Sequence, residues 1–231
     1  MPELTTGQAL NKALSLILEQ NPTAFIAGED IGIYGGAFGV TDGLLAQFGE
    51  DRIKDTPISE DAIAGLAVGA SMTGGKPIVE MQFSDFIVNA MDPIVNQAAK
   101  LHFMHGGSVN VPIIVRGASG AGTGAAAQHS QSLESWFCHV PGLKVVTPSN
   151  PQNAYDLLLH SFVDPNPIIF MEHKLIYKIK DNLELNDIPK EPSMLGKANI
   201  ISEGKDITIV SYSNMVNVAK EAIAAEELKN Y

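Results

Sequence analysis

Cysteine is almost missing from this sequence: Cys138 is the only one in 231 residues. Intramolecular disulfides and iron–sulfur clusters held by several thiolates are thereby excluded. Cys138 itself, beside Trp136 and Phe137, reads as a small core residue. Basic residues are also scarce. The 15 Lys and Arg are outnumbered by 26 Asp and Glu, a formal net charge of -11. That balance argues against a nucleic-acid partner, whose phosphates require a basic face, and against an anionic membrane surface. A small anionic substrate remains compatible, because local charge can oppose the global sign. No apolar run approaches the roughly 18 residues that span a bilayer. The longest, at 62–70, is rich in Gly and Ala and reads as a buried helix. Residues 1–12 contain no basic stretch followed by an apolar one, so no secretory signal is expected and the chain reads as cytoplasmic.

What is present is an alternation of helical and extended patterns. Thr5-Thr6-Gly7-Gln8 has the form of a capping box, and Leu10, Ala13, Leu14, Ile17 and Leu18 follow at helical spacing. Strands are expected at 23–27, 77–83, 111–115, 144–146 and 167–171. Helices are expected at 41–48, from Glu60 onward, at 85–104 and at 151–162. Nearly all-apolar strands separated by helices imply an α/β fold whose parallel sheet is covered on both faces. Gly65 and Gly69 in the helix after Glu60 would admit a second backbone at close range. Residues 181–193, with Pro189 and Pro192 among charges, read as linker. A further strand at 206–212 and an amphipathic helix at 215–229 close the pattern. One strand and one helix cannot bury their own faces and must lean on something else.

Motifs taken singly are weak. Gly120 to Ala125 formally matches the dinucleotide fingerprint G-x-G-x-x-A, but no acidic residue ends the following strand to hold a ribose. The cluster 117–125 reads instead as a loop, and its exit through Gln128-His129-Ser130-Gln131 marks a candidate site, since loops on rigid sheets carry chemistry disproportionately. His102 and His105 have ligand spacing without a third ligand nearby, so they read as surface histidines. Glu60 and Asp61 open a helix, where the dipole favours acids, and capping is their default explanation. Glu172 and Lys174 read as ordinary strand-end charges.

Seven longer stretches change this reading when taken in order. They are GEDIGIYGGAFGVTDGL (28–44), FGEDRIKDTPISE (48–60), PIVEMQFSDF (77–86), NQAAK (96–100), AAQHSQ (126–131), PGLKVVTPSNP (141–151) and PIIFMEHKLIY (167–177). The chain resembles the β subunits of the decarboxylating component of pyruvate, branched-chain 2-oxoacid and acetoin dehydrogenase complexes. The resemblance implies a transketolase-like pyrimidine-binding domain at 1–180, a linker at 181–197, and at 198–231 the beginning of an incomplete C-terminal α/β domain. It implies thiamine diphosphate as cofactor, with this chain taking the aminopyrimidine end. The diphosphate and its Mg2+ would be held by a GDG motif of an α subunit; no GDG occurs in this chain, in keeping with a site shared in an α2β2 heterotetramer.

By position in these motifs, Glu60 corresponds to the carboxyl that shares a proton with the aminopyrimidine nitrogen and activates the cofactor. A buried carboxyl with a raised pKa suits that task. Ile58, Gln82 and Phe86 would line the pyrimidine pocket, with Phe86 offering an apolar face. His129 corresponds to the family's active-site histidine, facing the intermediate or the lipoyl group of the acyltransferase component. A structural K+ site of mostly backbone oxygens would involve Ile113, Ser161, Phe162, Asp164 and Asn166. The chain departs from the family pattern at Asp92-Pro93-Ile94, where proline removes a donor and would kink or restart the helix. The implied activity is decarboxylation of pyruvate, or cleavage of acetoin, with acyl transfer to lipoamide. The alternatives are a non-catalytic assembly fragment and a subunit of another transketolase-like thiamine enzyme.

Overall fold

The computed structural model describes residues 1–225. At its centre lies a six-stranded, wholly parallel sheet. Its strands are β2 (Ala24–Gly28), β3 (Ile53–Asp55), β4 (Lys76–Phe83), β5 (Ile114–Ser119), β6 (Lys144–Val146) and β7 (Ile168–His173), in the order β3-β2-β4-β5-β7-β6. Strand side chains alternate between two cores, as the two-residue period requires. Ile26, Ile78, Ile114, Ile168 and Phe170 face one core, packed against α1 (Thr6–Gln20) and α6 (Pro151–Val163). Ala27, Val79, Val115, Ile169 and Met171 face the other, packed against α3 (Glu60–Met72) and the helical run from Ser84 to Met104. Each fully buried Ile or Leu in these layers contributes roughly 1.5–3 kcal/mol.

The capping box at the start of α1 forms as its spacing predicts. Thr5 Oγ1 accepts the Gln8 N–H, and Gln8 Oε1 accepts the Thr5 N–H. Just before it, β1 (Glu3–Thr5) pairs antiparallel with β8 (Lys180–Asn182), a small ribbon for which neither segment carries an apolar signal. The short α2 (Leu44–Phe48) begins three residues later than expected.

Several expectations are corrected. Strand β5 starts at Ile114, and Gly117 lies inside it rather than in a loop. A Cβ at Gly117 would sit 3.1 Å from the backbone of Ser84, so the glycine is where the chain after β4 crosses closely over the sheet. The stretch 85–104 is not one α-helix. It is a 3-10 helix (Ser84–Ala90), then a π-helical segment (Asp92–Ala98) with Pro93 in its first turn, then α4 (Ala99–Met104). Proline tolerates a helical first turn because the N–H it lacks would be unpaired there. Cys138, on α5 (Glu134–Cys138), is exposed, and it is Phe137 that enters the core. The helix α3 is buried along Ile63, Ala64, Ala67, Val68 and Ser71, whereas among the described residues nothing approaches Gly65 or Gly69, which stay open to a second backbone.

The expected strand at 206–212 is not formed, and Ile207, Ile209, Val210 and Tyr212 are exposed, with no neighbouring strand among the described residues to take their backbone groups. Helix α7 covers Met215–Ala224 and ends at the extended Ala225; residues 226–229 of the expected helix lie outside the described residues. The segment read as linker runs along α1 and α6. Gln20 donates to Asp187, Tyr155 donates to the Asn186 carbonyl, and Asn186 donates to Asp156. No helix among the described residues is long and apolar enough to cross a membrane.

Candidate functional site

In a parallel sheet the strand order reverses where the chain leaves in both directions from one strand, and the crevice beyond the carboxyl ends at that point is the usual ligand site. Here the reversal falls between β2 and β4, since the chain leaves β2 for β3 on one side and returns to β4 on the other. The residues following β2, β3, β4, β5 and β7 therefore gather on one edge. Asp30 follows β2 and has a left-handed φ of 54°, and Gln82 at the end of β4 donates Nε2 to its Oδ2 across 3.1 Å. Asp55, ending β3, accepts the Gly32 N–H at 2.7 Å and secures the loop that begins at Asp30.

Glu60 is the first residue of α3, half-buried, and its Oε2 accepts from Asn89 Nδ2 at 3.3 Å. Burial raises the Glu29 pKa, and the charges of neighbouring Glu60 and Asp30 raise it further. Phe86 lies one helical turn before Asn89. His129 comes from the far side of the crevice, on the loop after β5. Its imidazole meets Phe83 edge-on at 4.4 Å and Phe86 at 5.3 Å. Four of the sequence candidates, Glu60, Gln82, Phe86 and His129, are thus linked through Asn89, Asp30 and the aromatic contacts into one edge. Ile58 stands two residues before Glu60 but is 82% exposed, with its side chain outside this cluster. Glu60 is less buried than the expected carboxyl, so within this chain one of its sides stays open to solvent.

The loop carrying His129 depends on one glycine. Gly120 has φ +83°, and a Cβ there would fall 2.2 Å from the His173 ring. Gly120→Ala should therefore destabilise the fold by about 2 kcal/mol and displace the His129 loop. A denaturant midpoint unchanged from wild type would refute this.

Below the crevice lies a charged group that motif reading passed over. Arg116 is buried in the sheet. Its Nε and Nη2 donate to Glu172 at 2.7 and 2.8 Å, and its Nη1 donates to Glu80 at 2.7 Å. Tyr177 Oη donates to Glu172 at 2.8 Å. Glu172 is fully buried and no ordinary strand-end charge. A signal did exist: Ile78-x-Glu80, Ile114-x-Arg116 and Phe170-x-Glu172 each put a charge two residues past a core-facing residue, hence on the same sheet face. Lys174 is likewise buried, and its Nζ donates to the His129 carbonyl at 2.6 Å.

The residues expected to hold K+ lie at the opposite edge of the sheet, around the end of α6 and the starts of β5 and β7. Both Asp164 carboxylate oxygens are committed, Oδ1 to Asn166 and Oδ2 to Lys144. The Ile113 carbonyl accepts from Ile168 N–H, and that of Ser161 from Asp164 N–H. Each carbonyl keeps a second lone pair, so this turn fits a cation held by backbone oxygens but not by the Asp164 side chain. His102 and His105 each spend Nδ1 on a backbone carbonyl, of Val109 and Leu101. Among the described residues no group of three or more His, Cys, Asp or Glu is placed to hold a metal.

Comparison with known proteins settles the family. The model of the transketolase pyrimidine binding domain matches residues 2–180. The β subunit of the pyruvate dehydrogenase E1 component of Rickettsia conorii is 43% identical over 95% of this chain and 67% of its own length. The chain belongs to the E1 β-subunit family of 2-oxoacid dehydrogenases. The mitochondrial rice E1 β-1 subunit is 42% identical over 97% of this chain, which spans 62% of that protein's length. Among solved structures, an inactive β4 tetramer of a split-gene transketolase superposes with a TM-score of 0.76 over 98% of this chain and 68% of its own, at 22% identity. That likeness concerns the fold, and it agrees with the helix-covered parallel sheet expected from the alternation of strands and helices and with the transketolase-like domain that the resemblance implies.

Proposed function

We propose that this chain supplies the aminopyrimidine half of a thiamine-diphosphate site in a 2-oxoacid dehydrogenase E1, completed by an α subunit. The observation that carries the reading is the gathering of Glu60, Gln82, Phe86 and His129 at the switch-point edge of the sheet. A half-buried carboxyl, an amide and an aromatic ring suit an aminopyrimidine, which needs a proton partner at a ring nitrogen and an apolar surface beside it. When bound, thiamine diphosphate supplies the electron sink for decarboxylation.

The chain's own residues hold and orient. Glu60 shares a proton with the pyrimidine nitrogen, and Asn89 fixes the carboxylate's direction. Phe86 bounds the ring, Gln82 lies at the pocket floor, and Ile58 projects from the segment before Glu60 toward the partner or cofactor. His129 contacts the acyl unit, or the lipoyl group of the acyltransferase that receives it. The Glu60 side left open in this chain is the one an α subunit closes, and that subunit also holds the diphosphate and Mg2+ in an α2β2 assembly. Carbonyls of Ile113, Ser161, Phe162, Asp164 and Asn166 hold K+ in a purely structural role, because they stand at the other edge of the sheet. In this reading residues 1–180 form the pyrimidine domain, 181–197 the linker and 198–231 part of a further domain.

Pyruvate is the substrate we favour, by the names of the E1 β relatives; acetoin and branched-chain 2-oxoacids are the competitors. The test is reconstitution with an α subunit, thiamine diphosphate and Mg2+, followed by assay on all three. Decarboxylation of pyruvate with acyl transfer to lipoamide is expected to dominate. An assembled complex that turns over none of them would overturn the proposal.

A further inference from the structure

Residues 120–131 leave the end of β5 and return to α5 as a long, largely exposed loop bearing His129. Its own backbone bonds are few: Gly120 N–H to the Gln131 carbonyl at 2.9 Å, and His129 N–H to the Ala126 carbonyl at 3.4 Å. Ala126 has φ 61° and ψ -171°, a conformation a non-glycine residue keeps only when its surroundings impose it. A loop so weakly bonded to itself would not hold an imidazole to a fraction of an ångström. Two buried side chains outside the loop supply the restraint.

Asp85, from the turn after β4, is 2% exposed, and its Oδ1 accepts the Gln131 N–H at 3.0 Å. Its Oδ2 has no hydrogen-bond partner among the described residues. Lys174, after β7, donates Nζ to the His129 carbonyl. The two grip the backbone on either side of Ser130, one at an N–H and one at a carbonyl, from the segments that follow two different strands. Both backbone polar atoms of Gln131 are thus held, its N–H by Asp85 and its carbonyl by Gly120. The Phe83 and Phe86 rings then confine the imidazole itself. Burial lowers the Lys174 pKa, and the charge of Asp85 partly opposes this.

We propose that Asp85 and Lys174 are positioning residues that place His129 for acyl transfer by clamping the backbone at residues 129 and 131. What the histidine does rests on the thiamine-enzyme reading; the clamp does not. A displacement of about 1 Å at a reacting group costs up to roughly a hundred-fold in rate, so the effect is large although neither side chain meets the substrate.

The experiment uses the enzyme reconstituted with its α subunit, in wild-type, Asp85→Ala, Asp85→Asn and Lys174→Met forms. It reads hydrogen exchange of residues 120–131, together with kcat and KM for acyl transfer to a lipoyl domain. Asp85→Ala and Lys174→Met should speed loop exchange and lower kcat by roughly ten- to a hundred-fold, with KM for the 2-oxoacid moved by less than about two-fold. Asp85→Asn keeps an acceptor oxygen and should recover most of both losses. Unchanged loop exchange in the alanine and methionine variants, or an asparagine variant no better than alanine, would overturn the clamp. Should Asp85→Ala fail to fold, Lys174→Met decides alone. A wild-type complex without acyl transfer would instead count against the thiamine reading, while the exchange measurement still decides the clamp.

Discussion

Glu60→Gln in the reconstituted enzyme should lower 2-oxoacid decarboxylation by about 10²- to 10⁴-fold, the range for removing a positioned acid–base group. The substitution is nearly isosteric. Glutamine can still accept the Asn89 amide through Oε1, so the start of α3 and its contact should survive. What it cannot do is exchange a proton. Assembly with the α subunit and thiamine diphosphate affinity should therefore change far less than turnover, and calorimetric titration of the cofactor separates the two. Near-normal turnover would remove Glu60 from its assigned role. A complex that no longer assembles would show instead that Glu60 is a structural residue of the α3 start.

The second large effect concerns stability. Arg116→Met should destabilise the chain by about 3–5 kcal/mol, because it leaves Glu80 and Glu172 buried without their shared cation. Against a typical total of roughly 5–15 kcal/mol, this is enough to unfold a substantial fraction of the protein, and urea denaturation reads it directly. A loss below about 1 kcal/mol would mean that water or protonation already compensates the pair.

The group also has a pH signature. Burial, more than the opposing pull of Arg116, raises the Glu80 pKa above its ordinary 4.5. A raised acid binds more protons folded than unfolded, so its contribution to stability is fully present below the unfolded pKa. That contribution is lost as pH rises through the folded value. Glu80→Gln mimics the protonated acid and should flatten this decline. A decline of the same slope in the variant would assign it to another group.

Much of the fold could be read from the chain because apolar runs in parallel strands are distinctive. The strand Lys144–Val146 and the cap of α1 emerged as read. Failures came where local chemistry is ambiguous. Ile53-Lys54-Asp55 is too short to show a period, yet it forms the edge strand that secures the Asp30 loop. Gly117 looked like the opening of a loop because a glycine needed for close approach and one needed for a turn are the same letter. Exposure of Cys138 depended on which side of a five-residue helix faced the sheet, and one turn carries no reliable period.

At the candidate site the position of Glu60 is legible only as a helix opening, and motif order alone raised it above capping. Lys174 and Asp85 were invisible as clamps, because their partners are backbone atoms on a loop 45 residues earlier and 46 residues later in the chain.

The ribbon joining Glu3–Thr5 to Lys180–Asn182 has a topological consequence. It makes the sheet-bearing unit a ring cut at a single place, with entry and exit lying side by side. Connecting two ends already in contact adds little closure entropy, and neighbouring ends are what make circular permutation tolerable. The order in which the strands occur along the chain is therefore separable from the order in which they lie in the sheet. Opening the ring instead at the exposed Gly106-Gly107 turn between α4 and β5 would leave every pairing of the six strands intact.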